Sequence, residues 1–181
     1  SEHDTNALLE KILFGAISLT NADGGTIYRV LDDAIKIEII YSNSLGMHFS
    51  DSNKNASSLP KIALFDENGQ PNLKNVVTYS YHHDKTLNIA DAYDTKEFDF
   101  QGTKAFDAKN NYRSTSFLTV PLKNHEKETV AMLQLINAID PQTQTVTPFD
   151  SIAQRFCESL ACEAATVLTK QQLIVTLEEM F

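Results

Sequence analysis

The stretch "STSFLTVPLKNHEKETVAMLQLINA", residues 114–138, decides the fold of this chain. It predicts two neighbouring strands, one ending at Leu122 and the other at Ala138, joined by the polar link "KNHEK". Apolar side chains alternate onto both faces of the second strand, with Val130, Met132 and Ile136 on one face and Ala131, Leu133 and Leu135 on the other. A strand that is apolar on both faces is typical of the centre of a sheet.

Gln134 interrupts this pattern because it shares a face with Met132 and Ile136. A polar side chain at such a position must find a hydrogen-bond partner in the protein, in water or in a ligand. Gln134 is therefore a candidate ligand contact, and a hydrogen-bonded amide within the core explains it equally well.

Two strands and a loop are predicted near the N-terminus. "TIYRVL" (26–31) and "AIKIEIIYS" (34–42) have the composition of strands, and the pair Asp32-Asp33 forms the turn between them. In the second strand four apolar positions alternate with Lys36 and Glu38: Ile35, Ile37, Ile39 and Tyr41. Residues 43–60 are polar and small, which predicts a mobile loop.

Helices are predicted at both ends of the chain. Residues 4–19 place apolar side chains at spacings of three and four, and "NADGG" at 21–25 ends this helix. Near the other end, Thr147 is expected to cap a helix that has Pro148 at its first position and Asp150 in its first turn.

The C-terminal helix is longer than the core of one domain needs. Apolar residues near three-and-four spacing continue for some thirty residues, which corresponds to roughly 45 Å at 1.5 Å per residue. We expect its tail to pair in parallel with a second copy, with Gln171 as the polar residue that sets the register, and to lead to an output domain. The predicted organisation is an N-terminal helix (1–20), a sheet with a pocket (21–148) and the long helix (149–181).

The middle of the chain is less regular. The patterns predict an Asn-Gly turn at 68–69 and a short strand over "TLNIAD" (86–91). "NVVTYSYHH" (75–83) fits a short helix or a strand, and a helix that runs into a loop is favoured. "AFDAKNNYRS" (105–114) is polar and turn-prone, which predicts a loop, although it contains Phe106 and Tyr112. These two aromatic residues indicate that the loop contacts the core or forms a wall of a binding site.

Composition excludes several classes of function. The 181 residues carry a net charge of -9, so a basic surface for nucleic acid is not expected. The sequence contains no run of 18 apolar residues that would predict a membrane span. Because the chain starts at Ser1 rather than Met, we expect it to be a segment of a longer protein.

Few residues have the spacing of a catalytic or metal site. Cys157 and Cys162 lie five positions apart in one predicted helix and thus on different faces, so we expect no disulfide between them and a reducing cytoplasm. Neither a Ser-His-Asp arrangement nor a glycine-rich phosphate loop is recognisable. The adjacent His82 and His83 lack further ligands at metal spacing, so no metal is expected.

Three runs resemble the GAF domain, the small-molecule sensor module of cyclic-nucleotide phosphodiesterases, bacterial cyclases and many signalling proteins. They are "NIADAYDTKEF" (88–98), "YRSTSFLTVPL" (112–122) and "LQLINA" (133–138), and the likeness covers roughly residues 5–170. The block at 95–126 is most similar to GAF domains that precede HD-GYP-type phosphohydrolases or nucleotide cyclases in bacteria.

The resemblance implies an α+β, PAS-related fold. It has an antiparallel sheet of about six strands, with the terminal helices on one face and a ligand pocket on the other. The segment between "NIADAY" and "YRSTSF" would form the roof of the pocket, with Phe106 and Tyr112 as anchors. The residues expected at the ligand are Tyr41, Ser42, Asp91, Phe106, Asp107, Asn110, Tyr112, Ser114 and Gln134.

One departure from the family's cyclic-nucleotide branch concerns a salt bridge. That branch has a Lys after the conserved Asn and an Asp further along, and these positions are Ala138 and Ala153 here. The Glu that follows the Asp is Gln154, whereas Asn137 and Phe149 match. Both ends of the bridge are alanine, so no charge is left unpaired. A cyclic nucleotide is accordingly one candidate ligand among small molecules.

The resemblance implies a regulatory sensor that relays ligand binding through dimeric helices to an output domain with phosphohydrolase or cyclase activity. The alternative is a dimerisation spacer whose pocket is filled by its own side chains. Asp107 in that case only forms a turn or caps a helix. An oxidoreductase like the free methionine sulfoxide reductases would need cysteines in the pocket region, and both cysteines lie in the terminal helix. We therefore expect no catalysis by this segment, no membrane contact, and a small molecule and a second copy as partners.

Overall fold

The computed structural model describes residues 2–50 and 61–180. The helices in these ranges are α1 (Glu2–Thr20), α2 (Val76–His83), α3 (Gln101–Asn110) and α4 (Ser151–Met180), and a 3₁₀ turn covers Ala92–Asp94. The strands are β1 (Ala22–Val30), β2 (Ala34–Ser42), β3 (Met47–Ser50), β4 (Ile62–Ala63), β5 (Leu87–Ile89), β6 (Phe117–Lys123), β7 (Thr129–Ile139) and β8 (Val146–Thr147). None of the helices in these ranges is long and apolar enough to cross a bilayer.

The strands form one antiparallel sheet in the order β3-β2-β1-β7-β6-β5, and the short strands β4 and β8 pair with β2 and β7. The predicted α+β architecture with about six main strands is confirmed. Strand β7 lies between β1 and β6 and is buried along most of its length, as its two apolar faces predict.

One face of the sheet is covered by α1 and α4. Their apolar side chains and those of four strands form a single continuous core. Its largest fully buried members are Leu9, Leu13, Ile27, Ile39, Leu118, Leu122, Leu133 and Leu135. Both terminal helices thus lie on the same face, as the family resemblance implies.

The other face is covered by α2 and by the segment that contains the 3₁₀ turn and α3. Here the apolar residues form two separate clusters rather than one. The first contains Tyr28, Ile35, Leu64, Val77 and Met132, and the second contains Val76, Ala92, Phe100 and Phe117.

Strand β1 starts at Ala22, four residues before the predicted start. A Cβ atom on Gly24 would lie 2.3 Å from the carbonyl oxygen of Tyr41, and one on Gly25 would lie 2.6 Å from that of Gln134. The two glycines therefore belong to a strand whose neighbours approach closely, and they do not form a turn. Only Asn21, with φ of 57°, makes the turn from the helix.

The predicted loop at 43–60 is partly wrong. Residues 47–50 form β3, which pairs with the edge of β2 through Ile40 opposite Phe49 and Tyr41 opposite His48. Residues 51–60 lie outside the described residues. The predicted turn at 68–69, the helix over α2 and the strand at β5 are confirmed.

Two helix boundaries differ from the prediction. The segment 101–110 is the helix α3 rather than a loop, because its exposed and mostly polar surface hides the helical period. Helix α4 begins at Ser151 because Val146–Thr147 pairs with β7. Asp150 caps this helix by accepting a hydrogen bond from the Ala153 N–H at 2.8 Å, so Thr147 is not the cap.

Helix α4 extends over thirty residues, as predicted, and has two apolar faces. The face toward the sheet is buried and consists of Ala153, Cys157, Ala161 and Ala164. The second face, called here the outer stripe, is exposed and consists of Ile152, Phe156, Val167, Ile174 and Leu177. The side chain of Gln171 lies outside the described set.

Replacing either strand glycine by alanine should destabilise the fold. Gly24→Ala and Gly25→Ala each place a Cβ against backbone, and we expect each to lower the free energy of unfolding by about 1–3 kcal/mol. Gly15→Ala is the matched control because nothing lies within 4 Å of its added Cβ in α1. It should raise stability by about 0.5–1 kcal/mol in the same urea titration. Equal effects at the three positions would contradict the tight approach.

Candidate ligand pocket

A row of buried polar side chains crosses the sheet between the two apolar clusters. Thr26, Gln134 and Thr119 are aligned on β1, β7 and β6, and they are 6%, 7% and 0% exposed. The Nε2 of Gln134 donates to the Thr119 hydroxyl at 3.1 Å, and the hydroxyl of Tyr28 donates to the Gln134 Oε1 at 3.3 Å. We call Thr26, Gln134 and Thr119 the polar floor.

The amide of Gln134 has partners but also spare capacity. A glutamine side chain offers two N–H donors and two acceptor lone pairs. Its contacts with described residues use one of each, through Thr119 and Tyr28. Burial raises the pKa of Tyr28 to about 12, so its hydroxyl remains a donor at neutral pH. The hydrogen-bonded core amide is therefore present, and an N–H and a lone pair remain for a guest.

Asp107 ties α3 to the start of β6. Its carboxylate is 2% exposed and accepts from the Ser114 N–H at 2.8 Å and the Ser114 hydroxyl at 2.7 Å. The hydroxyl of Tyr93 donates to the same carboxylate at 2.5 Å. These three bonds fix the segment 107–114. We call α3 and this segment, residues 101–114, the roof.

Asp91 holds the outer side of the roof. It caps the 3₁₀ turn by accepting from the Tyr93 N–H at 2.9 Å, and it pairs with Arg113 at 3.3 Å. The Arg113 guanidinium also lies 4.5 Å from the centre of the Tyr93 ring, a cation–π distance. Asp91 and Asp107 therefore belong to one network through Tyr93 and Arg113.

Tyr112 fixes the inner end of the roof to the sheet. Its hydroxyl donates to Asp23 at 2.5 Å and accepts from the Asn137 Nδ2 at 2.9 Å. Asp23 also accepts from the backbone N–H and the hydroxyl of Ser44. Burial, and then the bond to Asp23, raise the pKa of Tyr112 well above its usual range, so this hydroxyl stays protonated.

The side chain of Asn137 uses its full hydrogen-bonding capacity. Besides Tyr112, its Nδ2 donates to the Arg113 carbonyl at 2.8 Å, and its Oδ1 accepts from the Thr115 and Ser116 N–H groups. Asn137 is 2% exposed and has φ of 60°, a conformation that asparagine tolerates better than most residues. It joins β7 to residues 112–116.

The structure places most of the expected ligand residues around the floor and the roof. Ile40 is paired with Thr26 across the strands and therefore points to the same face of the sheet. Ser42 lies two residues after Ile40 and so shares this face with the floor. Asn110 donates to the carbonyl of Phe106 within α3, and the Phe106 side chain is half-buried. Of this set, hydrogen bonds join Asp107 directly to Ser114 and Tyr112, and Asp91 to the same network through Tyr93. Ser42 and Gln134 lie on the floor's face of the sheet, and Asn110 is bonded within α3.

Tyr41 lies on the opposite face, which corrects its expected place in the pocket. Neighbouring residues of a strand point to opposite faces, so Tyr41 and Ser42 cannot share one. The ring of Tyr41 packs edge-on against Phe14 of α1 with centroids 4.9 Å apart. It belongs to the core beneath the terminal helices.

Several residues of the site were missed at the sequence level. Thr26 and Thr119 carry no signal until the register with Gln134 is known. Asp23 was assigned to a turn. Tyr93 belongs to the run "NIADAY", where nothing in the sequence indicates its hydrogen bond to Asp107. Asn137 was noted only as a match to the family, and its left-handed backbone and long-range bonds have no local signature.

The histidines of α2 have structural contacts. His82 Nε2 lies 2.6 Å from the Leu64 carbonyl oxygen, and the ring of His83 stacks on Tyr79 at 4.0 Å. Among the described residues, no group of three or more His, Cys, Asp or Glu side chains could hold a metal ion.

Comparison with known sequences identifies one family. The sequence model of the GAF domain matches residues 4–168. The dual 3',5'-cyclic-AMP and -GMP phosphodiesterase 11A of Takifugu rubripes is 27% identical over 134 residues. That alignment covers 74% of this chain and 14% of the phosphodiesterase, so the chain spans a small part of this relative.

Solved structures show the same fold. A GAF domain/HD domain protein from Geobacter sulfurreducens has a TM-score of 0.64 at 12% identity, covering 94% of this chain and 95% of that one. The blue-light absorbing form of the PixJ GAF domain from Thermosynechococcus elongatus also has a TM-score of 0.64 at 12% identity, with 99% and 93% covered. A free methionine-R-sulfoxide reductase from Thermoplasma acidophilum has a TM-score of 0.52 at 11% identity, with 89% and 92% covered. At these identities the likeness concerns the fold alone.

Asp107→Asn should loosen the roof. The substituted amide cannot accept all three hydrogen bonds from Ser114 and Tyr93, so we expect the free energy of unfolding to fall by about 1–3 kcal/mol. Asp94→Asn makes the same change of charge at a nearby exposed position and should alter stability by less than about 0.5 kcal/mol. Hydrogen exchange at the Ser114 amide should accelerate in the first variant only. An unchanged exchange rate would show that Asp107 does not hold the roof.

Proposed function

The chain belongs to the GAF domain family, whose members are small-molecule sensing and regulatory modules of signalling proteins, and on that premise we propose that it is a ligand-binding regulatory domain. The ligand lies between the polar floor and the roof. The observation that carries this proposal is that a buried polar row divides the apolar residues of this face, whereas the face under α1 and α4 is one continuous core.

A divided face is unfavourable for stability alone. Buried polar groups contribute little net stability compared with apolar packing and are costly when unsatisfied. A binding pocket, by contrast, needs apolar walls and a few convergent polar groups that orient the ligand. The clusters around Met132 and Phe117 supply such walls on either side of the floor.

The floor favours a small polar ligand that exchanges neutral hydrogen bonds. The base and ribose of a cyclic nucleotide can exchange such bonds, and cyclic nucleotides are the first compounds to test, since the related phosphodiesterase carries cyclic AMP and GMP in its name. Ala138 and Ala153, the alanines at the family's salt-bridge positions, both lie in the core beneath the terminal helices. That core is packed without the family's Lys–Asp salt bridge, so a ligand between the floor and the roof is held without this salt bridge.

Hydrogen bonds lead from the roof to the start of α4. The Ser116 hydroxyl donates to the Thr147 carbonyl at 2.8 Å, next to the residues that Asn137 holds. Asn88 on β5 donates to the carbonyl of Phe149 at 2.9 Å. A ligand that binds one arrangement of the roof more tightly would shift these contacts and thereby the orientation of α4. We propose this route to an output domain such as a phosphohydrolase or cyclase.

We also propose that this segment regulates rather than catalyses and works in the cytoplasm. Cys157 is buried beneath the sheet and Cys162 is exposed on α4, so neither thiol lies at the floor. A pocket redox reaction would require a thiol there.

A second candidate is the ligand-free spacer. It is favoured by the bonds that Gln134 already makes to Tyr28 and Thr119, and by the two bonds that hold Tyr112. Such a domain would serve only to join two copies through the terminal helices.

A homodimer through the outer stripe of α4 is common to both candidates. Its members are 41–56% exposed, and they follow one another along α4 at near-helical spacing. Apolar side chains this exposed on one helix gain most by packing against the same stripe of a second copy.

Thermal unfolding with a ligand panel tests the sensor. A panel of cyclic nucleotides, formate-like anions and common metabolites should contain a compound that, at one hundred times its dissociation constant, adds about 2.7 kcal/mol of stability. Gln134→Met should abolish this increment, because methionine fills the space without hydrogen bonds. Gln142→Met, the same change in an exposed turn, should retain it.

The increment is compared within each variant, so a loss of basal stability in Gln134→Met does not obscure the result. A panel without any stabilising compound would favour the spacer. Stabilisation that survives in Gln134→Met would place the ligand elsewhere.

Sedimentation equilibrium tests the dimer. Ile174→Ala with Leu177→Ala removes two exposed side chains of the outer stripe and should raise the dimer dissociation constant at least tenfold, about 1.4 kcal/mol. Glu179→Ala changes an exposed residue on another side of the same helix and should leave the constant unchanged. The stripe is excluded as the dimer interface if the two variants have equal dissociation constants. It is also excluded if a chain truncated after Thr169 has the same dissociation constant as the full chain.

A further inference from the structure

A concave site lies away from the polar floor and the roof. It is a cleft of about 480 Å³ between the link from α2 to β5, the hairpin from β6 to β7 and the flank of α4 that contains Ala161 and Cys162. This volume falls within the range of about 300–1,000 Å³ typical of small-molecule sites. Its strand residue Val120 belongs to the core beneath the terminal helices, on the opposite sheet face from the neighbouring Thr119 of the floor.

The cleft concentrates positive charge in an acidic chain. Lys85, Lys123 and Lys127 line it, whereas the whole chain has a net charge of -9. It also contains two carboxylates: Asp84 pairs with Lys123, whereas Glu158 keeps its negative charge and accepts a hydrogen bond from the Thr86 hydroxyl at 3.3 Å. Within the described residues, Lys85 and Lys127 form no ion pair. Three lysines against two carboxylates leave the cleft with a net charge of one positive unit.

The floor of the cleft is apolar and made partly by α4. Ala161, Cys162 and Ala165 follow the helical spacing of one face and line the cleft together with Val120 and Pro121, and Glu158 lies at the end of this row. The alanines leave room that larger side chains would fill. Two cations at the rim and an apolar floor are complementary to a molecule with an anionic group and an apolar body.

We propose that this cleft binds a small organic anion, a carboxylate or phosphate monoester with an apolar body, against this flank of α4. The anionic group lies between Lys85 and Lys127, and the apolar body contacts the alanine floor. Because the cleft joins the link after α2 and the hairpin to α4, its occupant adds a second input to the helix that leaves the sheet. The site is independent of the pocket between floor and roof.

Cys162 makes the proposal measurable, because it is exposed and lines the cleft. Cys157 is buried, and burial raises the pKa of its thiol to about 12, so it should react slowly. The rate of alkylation by neutral iodoacetamide therefore reports access to the cleft. Saturating phenyl phosphate or benzoate should slow this rate at least fivefold, and inorganic phosphate at equal ionic strength should slow it less. If only benzoate protects Cys162, the site is assigned to carboxylates. If only phenyl phosphate protects it, the site is assigned to phosphate monoesters.

Variants locate the anion. Lys85→Gln with Lys127→Gln should abolish the protection, whereas Lys11→Gln with Lys61→Gln removes two exposed lysines elsewhere and should retain it. Gln134→Met should also retain protection, which separates this site from the pocket. The proposal is overturned if neither organic anion protects Cys162 at about 10 mM, if the Lys85 and Lys127 variant is still protected, or if labelling without any anion slows with protein concentration, which would mean that a second copy covers the cleft.

Discussion

The position of the roof relative to the floor depends on the hydrogen bonds of the Asn137 side chain, which we call the joint. Asn137 leaves the end of β7 in a left-handed backbone conformation and makes four hydrogen bonds to residues 112–116. Tyr112 continues this joint to Asp23, so the ends of β1 and β7 hold the same segment. Every group in this joint is neutral or hydrogen-bonded, which is the condition under which buried polar networks specify one geometry.

The two faces of the sheet are held by different forces. Under α1 and α4 the contacts are apolar and non-directional, so this face tolerates small shifts of the helices. Above the floor, the roof is held by directional side-chain hydrogen bonds of Asp107, Tyr112 and Asn137, whose partners lie between 7 and 89 positions away along the chain. Such a segment can open as a unit while the core beneath the helices stays intact, which is how binding sites acquire local mobility.

The sequence predicted those elements whose side chains repeat with the period of the backbone. The central strands and both terminal helices were recovered because burial on one or two faces imposes that period. Helix α3 was missed because only Asp107 is fully buried along it. Glu38 was expected on a polar face, but a bulge opposite Ile27 and Tyr28 turns it inward, where it is 3% exposed and pairs with Arg29 at 2.8 Å. Among the site residues, Gln134 was found by its contradiction of an apolar pattern. The partners of Asp107 and Asn137 depend on long-range contacts that no local pattern contains.

The pairing of β1 with β7 has a consequence for how the chain folds. Tyr28 and Gln134 touch although they are 106 positions apart, and β1 lies between β2 and β7 in the sheet. The hairpin of β1 and β2 can form early, but one edge of β1 stays unpaired until the last long strand has been made. Closing so large a loop is slow compared with forming local contacts. During synthesis the N-terminal hairpin therefore exposes the unpaired edge of β1 until β7 has been made. Aggregation through this edge is most favoured in that interval.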